Sequence, residues 1–234
     1  MTKTWLSASA ALLLLGLSGG KASAREVQSH GFRLEHWLCD TFFNGYRATD
    51  YTQRWDIPAS ANRDHGGLPV NPKAAKYGSS IGLGDALRQF EITEQTDAFI
   101  LIAAFWEQAD ADTKRWVNVQ ALTLTPALWR RLWGDLQRHD LERLQRLIQD
   151  RSLSVEEARR QAQALKARPP YSTALITLNP KIDDSQRRLQ CSLRFSVLFD
   201  HLAPQADRSR QPQATLWGHP LPPLHDAAAR TFKQ

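Results

Sequence analysis

The chain is poor in the residues that build the commonest metal and redox sites. It holds two cysteines, Cys39 and Cys191, and one methionine among 234 residues. There is no C-x-x-C, no Cys/His array and no H-E-x-x-H, so structural zinc and zincin chemistry have no ligands here. No G-x-S-x-G elbow and no P-loop occurs, which leaves α/β-hydrolase and P-loop NTPase chemistry without a motif. No internal repeat is present; Asn-Pro-Lys recurs at Asn71 and Asn179, within the range of chance. Charge of one sign is also lacking in quantity. Lys and Arg number 30 against 24 Asp and Glu, a mild excess that permits a polyanionic partner without demanding one. The cysteines stand far apart and read as two buried thiols, although export would make a disulfide chemically possible.

Hydrophobic residues make up 42% of the chain, an ordinary globular composition. The N-terminus has the form of a secretory signal over residues 1–24. Lys3 gives the positive start, Trp5 to Leu17 is apolar or small, and Ala22-Ser23-Ala24 fits the A-x-A cleavage pattern. The apolar run is short for a membrane span, and no second one follows. The expectation is an exported bacterial protein, periplasmic or secreted, with no membrane association after cleavage. A misassigned start would leave it cytoplasmic.

The rest divides into a domain over 25–200 and a Pro-rich C-terminal strap over 201–234. Apolar spacing predicts a helix over His30–Asn44 that ends at Asn44-Gly45. Tyr46–Ile57 predicts one or two strands, Ala59–Gly67 a polar loop and Leu68–Ala74 a short strand. Tyr77–Gly84 reads as a Gly/Ser loop feeding a helix at Asp85–Phe90. Ala98–Trp106 is a continuous apolar run suited to a central buried strand, and Trp116–Leu124 predicts another. Pro126–Ala167 reads as helical throughout, an insertion with a Ser154-x-x-Glu157 capping box and with Trp129 and Trp133 as core anchors. Pro169-Pro170 ends it, and Ser172–Leu178 and Leu189–Phe199 predict further strands. The order favours an α/β fold, a mixed central β-sheet flanked by helices.

The constellation most able to carry chemistry is Trp55-Asp56-Ile57-Pro58, a polar loop, then Pro69-Val70-Asn71-Pro72-Lys73. Positions i and i+2 of a strand share a face, so Asn71 and Lys73 point the same way. A hairpin would bring both to Asp56. Taken singly, Asp56 reads equally as an acid capping the turn before Pro58, and Lys73 as a solvated strand residue. Lys76, Tyr77 and Ser79-Ser80, with Arg88 and Gln89 on the following helix, are candidate phosphate contacts. So are Arg187 and Arg188. An ordinary capped loop and an exposed turn account for the same residues.

This arrangement resembles the PD-(D/E)XK nuclease superfamily, the restriction endonuclease-like fold. That pattern has an acid on one strand and acid-x-Lys on its neighbour. Asp56 matches the first acid, Lys73 the lysine, and Glu35 the acid often carried by a leading helix. Asn71 stands where the pattern has its second acid, a place Glu35 or Asp85 could fill. The resemblance covers roughly Gly31 to Leu124, with a weaker echo at 179–183 and 186–192. It implies a metal-dependent DNA endonuclease that uses Mg²⁺, or Mn²⁺, held by Asp56, Glu35 or Asp85, with Asp56, Asn71 and Lys73 at the reacting centre. The alternative it implies is a weakened or inactive relative, an exported module that binds nucleic acid or protein.

Export has a direct test: N-terminal sequencing of protein recovered from its native host should begin at Arg25. A full-length product recovered from the cytosol would overturn export.

Overall fold

The computed structural model describes residues 19–48, 54–110 and 113–224, with the first part of the leading helix, up to residue 30, as backbone only. Residues 1–18 of the expected signal peptide lie outside this range. The leading helix α1 (Gly19–Phe42) begins before the expected cleavage point at Ala24.

The apolar run at 99–105 is the middle of the molecule. It forms β3 (Phe99–Gln108), between β1 (Val70–Lys76) and β4 (Lys114–Leu124). β1 runs parallel to β3, with Asn71 opposite Leu101 and Lys73 opposite Ala103, while β4 is antiparallel to β3. Every residue from Phe99 to Phe105 is buried. The run is continuous because both faces of the sheet are covered. Phe99, Leu101, Ala103 and Phe105 face one core; Ile100, Ile102 and Ala104 face the other.

A second, antiparallel sheet has the order β2 (Ile81–Asp85), β6 (Arg187–Leu193), β5 (Thr177–Ile182). Its inner residues, among them Ile81, Leu83, Leu189 and Leu193, join the first core. Helices close that core: α2 (Ala86–Phe90), α3 (Pro126–Arg131), α4 (Arg138–Gln149) and α5 (Val155–Lys166). The protein is thus mixed α/β, a small mixed sheet flanked by helices. The block over 126–167 is three helices with breaks between them. Gly134, with a left-handed φ of 56°, breaks it once, and a turn at 150–153 breaks it again. Trp129 and Trp133 are fully buried. Half of the capping box forms: the Ser154 hydroxyl accepts from Glu157 N, whereas the Glu157 carboxylate accepts from Gln161.

α1 presents Leu34, Leu38 and Phe42 at four-residue intervals to the other core. It ends where the sequence predicts, with left-handed Asn44 and Gly45 and the Gly45 N–H on the Cys39 carbonyl. The strap crosses the β4 edge, with Ala206 against the first core and Ala214, Leu216 and Leu221 in the second. The Asn118 amide, fully buried, donates to the carbonyls of Asp207 and Ser209 at 2.9 Å each. Further on, β7 (Thr215–Leu216) and β8 (His219–Pro220) form a hairpin whose turn residue Trp217 has a φ of 48°. A bulky side chain is strained there; its ring stacks on His65 at 3.9 Å and meets Phe42 edge-on. Both cysteines are buried and free. Burial raises both thiols, Cys39 to about 11.

Four expectations are corrected. The strand over Tyr46–Ile57 reduces, among the described residues, to one bridge between Ile57 and Val70. The Gly/Ser loop contains β2, whose Ile81 and Leu83 point inward between exposed Gly82 and Gly84; the two glycines hide the alternation. The strand over Ser172–Leu178 begins only at Thr177, after a single turn at Tyr171–Thr173. β6 stops at Leu193, and Phe195–Leu202 winds into helical turns that bury Val197, Leu198 and Phe199.

One buried amide ties the start of the strap to β4. Asn118→Leu removes the donor of the Ser209 carbonyl and leaves that of Asp207 with Gln120 alone, at a cost of about 1–3 kcal/mol. Urea unfolding should show a lower midpoint with an unchanged slope; an unchanged midpoint would mean that the amide does not hold the strap.

Candidate functional site

Proline decides the shape of the site. Ile57 and Val70 exchange two backbone hydrogen bonds, 3.1 Å and 2.8 Å long. The Val70 N–H therefore points away from β3, and alternation sends the Pro72 position the same way. The next bond of that ladder would need an N–H at Pro72, which proline lacks. Pairing stops after one bridge, residues 54–56 leave as a bend, and Pro72 is accommodated at no cost to the β1–β3 pairing.

Asp56 lies in that bend. Its Oδ2 accepts a hydrogen bond from Lys73 Nζ at 2.7 Å, both side chains being partly buried. An ion pair this accessible contributes on the order of 1 kcal/mol or less to stability. Asn71 shares the Lys73 face of β1 and is buried.

Glu35, on α1, acts on the pair through its electrostatic field: α1 packs on the sheet face of Ile100, Ile102 and Ala104, whereas Asn71 and Lys73 share the face of Leu101 and Ala103. Its carboxyl is half-buried and its pKa is raised above the ordinary 4.5, first by burial and next by the negative charge of Asp56; Lys73, His36 and Arg47 oppose the rise. The helix thus carries Glu35 within electrostatic reach of both Asp56 and Lys73. Asp56 holds the lysine directly, and the half-buried Glu35 feels both charges. Arg47, engaged with Asp40 at 2.6 Å, sits close enough to moderate it.

Other residues singled out by sequence are placed elsewhere. Asp85 caps α2: its carboxylate accepts from Arg88 N at 2.9 Å, and it pairs in register with Gln190. Its surroundings are those of Cys191, and it is not among the charges that act on Glu35. Gln89 is buried, with its amide donating to the Leu83 carbonyl, so it reaches no phosphate. The Arg187 guanidinium is spent on the carbonyls of Asp150 and Leu153, tying two turns together. Lys76, Arg88 and Arg188 are exposed. Among the described residues, no group of three or more His, Cys, Asp or Glu converges in a way that would hold a metal ion.

Two contributors were not singled out by sequence. Arg47 follows the helix end with no motif to mark it. Asn62 is fully buried and organises the loop between Asp56 and β1: its amide donates to the carbonyls of His65 and Leu68 and accepts from His65 N. A polar residue just before an Arg-Asp-His-Gly-Gly stretch carries no distinguishing signal.

No family model, no curated protein and no solved structure matches this chain.

The charge balance can be titrated. Asp56→Asn should lower the Glu35 pKa toward 4.5, and Lys73→Ala should raise it further, both read from side-chain carboxyl NMR shifts. Stability follows with a definite sign. A carboxyl raised on folding binds its proton more tightly in the native state, so its contribution is present below the unfolded value and is lost as pH rises through the folded one. Glu35→Gln should therefore gain stability relative to wild type as pH rises above about 4.5. A pH-independent difference would show that Glu35 is not perturbed.

Proposed function

We propose that Glu35, Asp56 and Lys73 form the centre of a metal-dependent endonuclease of the PD-(D/E)XK kind, acting on DNA, in an exported restriction endonuclease-like protein. The observation that carries the reading is the 2.7 Å Lys73–Asp56 contact with Glu35 in the field of both. The mixed sheet with an acid-bearing helix on one face supports it at the level of fold.

The donor set fits magnesium. A hard cation takes charged oxygens, and Mg²⁺ is commonly held by one or two carboxylates, its remaining positions going to water and substrate phosphate. Asp56 and Glu35 would hold it, and Mn²⁺ would serve in its place; the Asn71 amide is a poor ligand, and Asp85 is occupied at α2. When bound, the ion supplies neutralisation of phosphate charge and a more acidic water. The chain's own residues do the rest. Glu35 must give up its proton to act as a ligand, so its raised pKa makes loading favour higher pH. Lys73, steered by Asp56, presents an ammonium to the phosphate oxygens or orients the attacking water.

A second reading has its own support. Lys73 already neutralises Asp56, and no third ligand converges on the pair among the described residues. That favours a weakened or inactive relative that binds nucleic acid or protein.

Supercoiled plasmid separates the two. The nuclease reading expects nicking with Mg²⁺ or Mn²⁺ and none with EDTA. Glu35→Gln, Asp56→Asn and Lys73→Ala should each reduce it by about a hundredfold or more, the order of a lost charge-stabilising group. Mg²⁺ should also lower the Glu35 pKa in the absence of DNA. Cleavage that survives Lys73→Ala, or a Glu35 titration indifferent to Mg²⁺, would overturn the assignment.

A further inference from the structure

The second sheet buries one face, and the other carries exposed cations on either side of a buried Ser192. Alternation along β6 sends Leu189, Cys191 and Leu193 to the core and Arg188, Gln190 and Ser192 to the other side. Arg194 continues that row in extended backbone (φ −65°, ψ 144°) and is exposed. On the neighbouring strand, Lys181 stands directly opposite Arg188, and Asn179 opposite Gln190. Like charges directly opposite on a sheet destabilise it. Here both are exposed, and no ion pair among the described residues offsets either of them or Arg194.

Two nearby acids are committed, while Asp184 in the β5–β6 turn is exposed. Asp85 caps α2. Asp183 accepts four hydrogen bonds from Ser185 and Gln186 within its own turn, which holds its pKa far below the usual carboxylate range. Protection of an open edge explains Pro180 and Lys181, because β5 is the outer strand. It does not explain Arg188 and Arg194, which belong to the central strand. On the third strand, Gly82 leaves open space where a side chain would stand, so the floor is low beside the cations.

We propose that this face, with Lys181, Arg188 and Arg194 as its cations, binds the phosphate backbone of duplex DNA. The row from Arg188 to Arg194 is about 20 Å long at strand spacing, which matches roughly six phosphates of one DNA strand. Gln190 adds a neutral polar group between the cations, the mixture that backbone positioning uses, while the Asn179 amide is held by the Ser192 hydroxyl and the Thr177 carbonyl. The face carries no aromatic platform for stacking unpaired bases. It rests on the nuclease reading only in taking DNA as the polyanion, and it assigns the docking surface that the Lys73 centre lacks.

The test is fluorescence anisotropy with a labelled duplex of about 20 base pairs, long enough to cover the row, in EDTA so that cleavage does not interfere. The triple variant Lys181→Gln, Arg188→Gln, Arg194→Gln should bind about tenfold or more weakly at moderate salt. Its dependence of log affinity on log salt should flatten by about three, one for each lost phosphate contact. Lys181→Glu should weaken binding while leaving the melting temperature equal or higher, because it faces Arg188 with an opposite charge; a structural role for Lys181 predicts the reverse. Unchanged affinity and slope in the triple variant overturn this surface even if the protein cleaves DNA. Wild-type protein that does not bind the duplex overturns it as well. Binding lost in the triple variant, with no cleavage under any metal, leaves the surface standing and removes the nuclease centre instead.

Discussion

The site's geometry follows from the N–H that Pro72 lacks. β1 is bonded along its whole length to β3 on one side, and on the other it can hold Ile57 and no further. With an N–H at position 72, the 54–57 segment would extend as a regular strand. Its side chains would then alternate across the sheet, and Asp56 would face wherever the register sent it. Released by the proline, the segment bends. Trp55 stacks on Phe99 in one core, Ile57 enters the other, and Asp56 between them meets Lys73. A residue that reads as a defect in a paired strand is what allows the acid and the lysine to meet at the sheet edge.

Electrostatics then separates the two carboxylates. Asp56 is the more open and holds the lysine. Glu35 is enclosed by the helix–sheet contact and bears the repulsion, so it keeps its proton to higher pH than an ordinary glutamate. Two carboxylates against one ammonium leave a local deficit of positive charge once both are ionised. Arg47 is partly committed to Asp40 and reduces that deficit without closing on the pair. A site in this state gains from an added cation, and the gain grows as Glu35 ionises.

Much of this was legible in the chain, for identifiable reasons. The run at 99–105 announced a strand covered on both faces because nothing polar interrupts it. Asn44-Gly45 marked a helix end because two left-handed positions in sequence suit those residues. The Asp56-to-Lys73 spacing brought its two residues together, although the hairpin behind the expectation did not form as a hairpin. What escaped was set by tertiary context. β2 was hidden by two glycines in a five-residue strand. Gln89 and Arg187 carry the chemistry of phosphate ligands, but one is sealed beneath α2 and the other anchors two turns, and nothing local distinguishes them from Arg188. Asp85 was a plausible ligand until its place at the start of α2 gave its carboxylate another task.

The two sheets also divide the labour in a way that single strands cannot announce. The β1–β3–β4 sheet is covered on both faces, so only its edge can present chemistry, and the acid–lysine pair lies at that edge. The β2–β6–β5 sheet is covered on one face alone, and polar residues on the other are expected of any half-exposed antiparallel sheet. Solvation by itself asks only for polarity of mixed sign. The helices satisfy it in that way, with Arg138 against Glu91 and Glu94, and Arg160 against Glu157. The outer face of β5 and β6 departs from this habit: it opposes Lys181 to Arg188 and adds Arg194 on the same row, and among the described residues none of the three is in an ion pair. An arrangement that costs stability in the free protein is relieved by a polyanion, and that cost is the physical reason to treat this face differently from the other charged surfaces of the molecule.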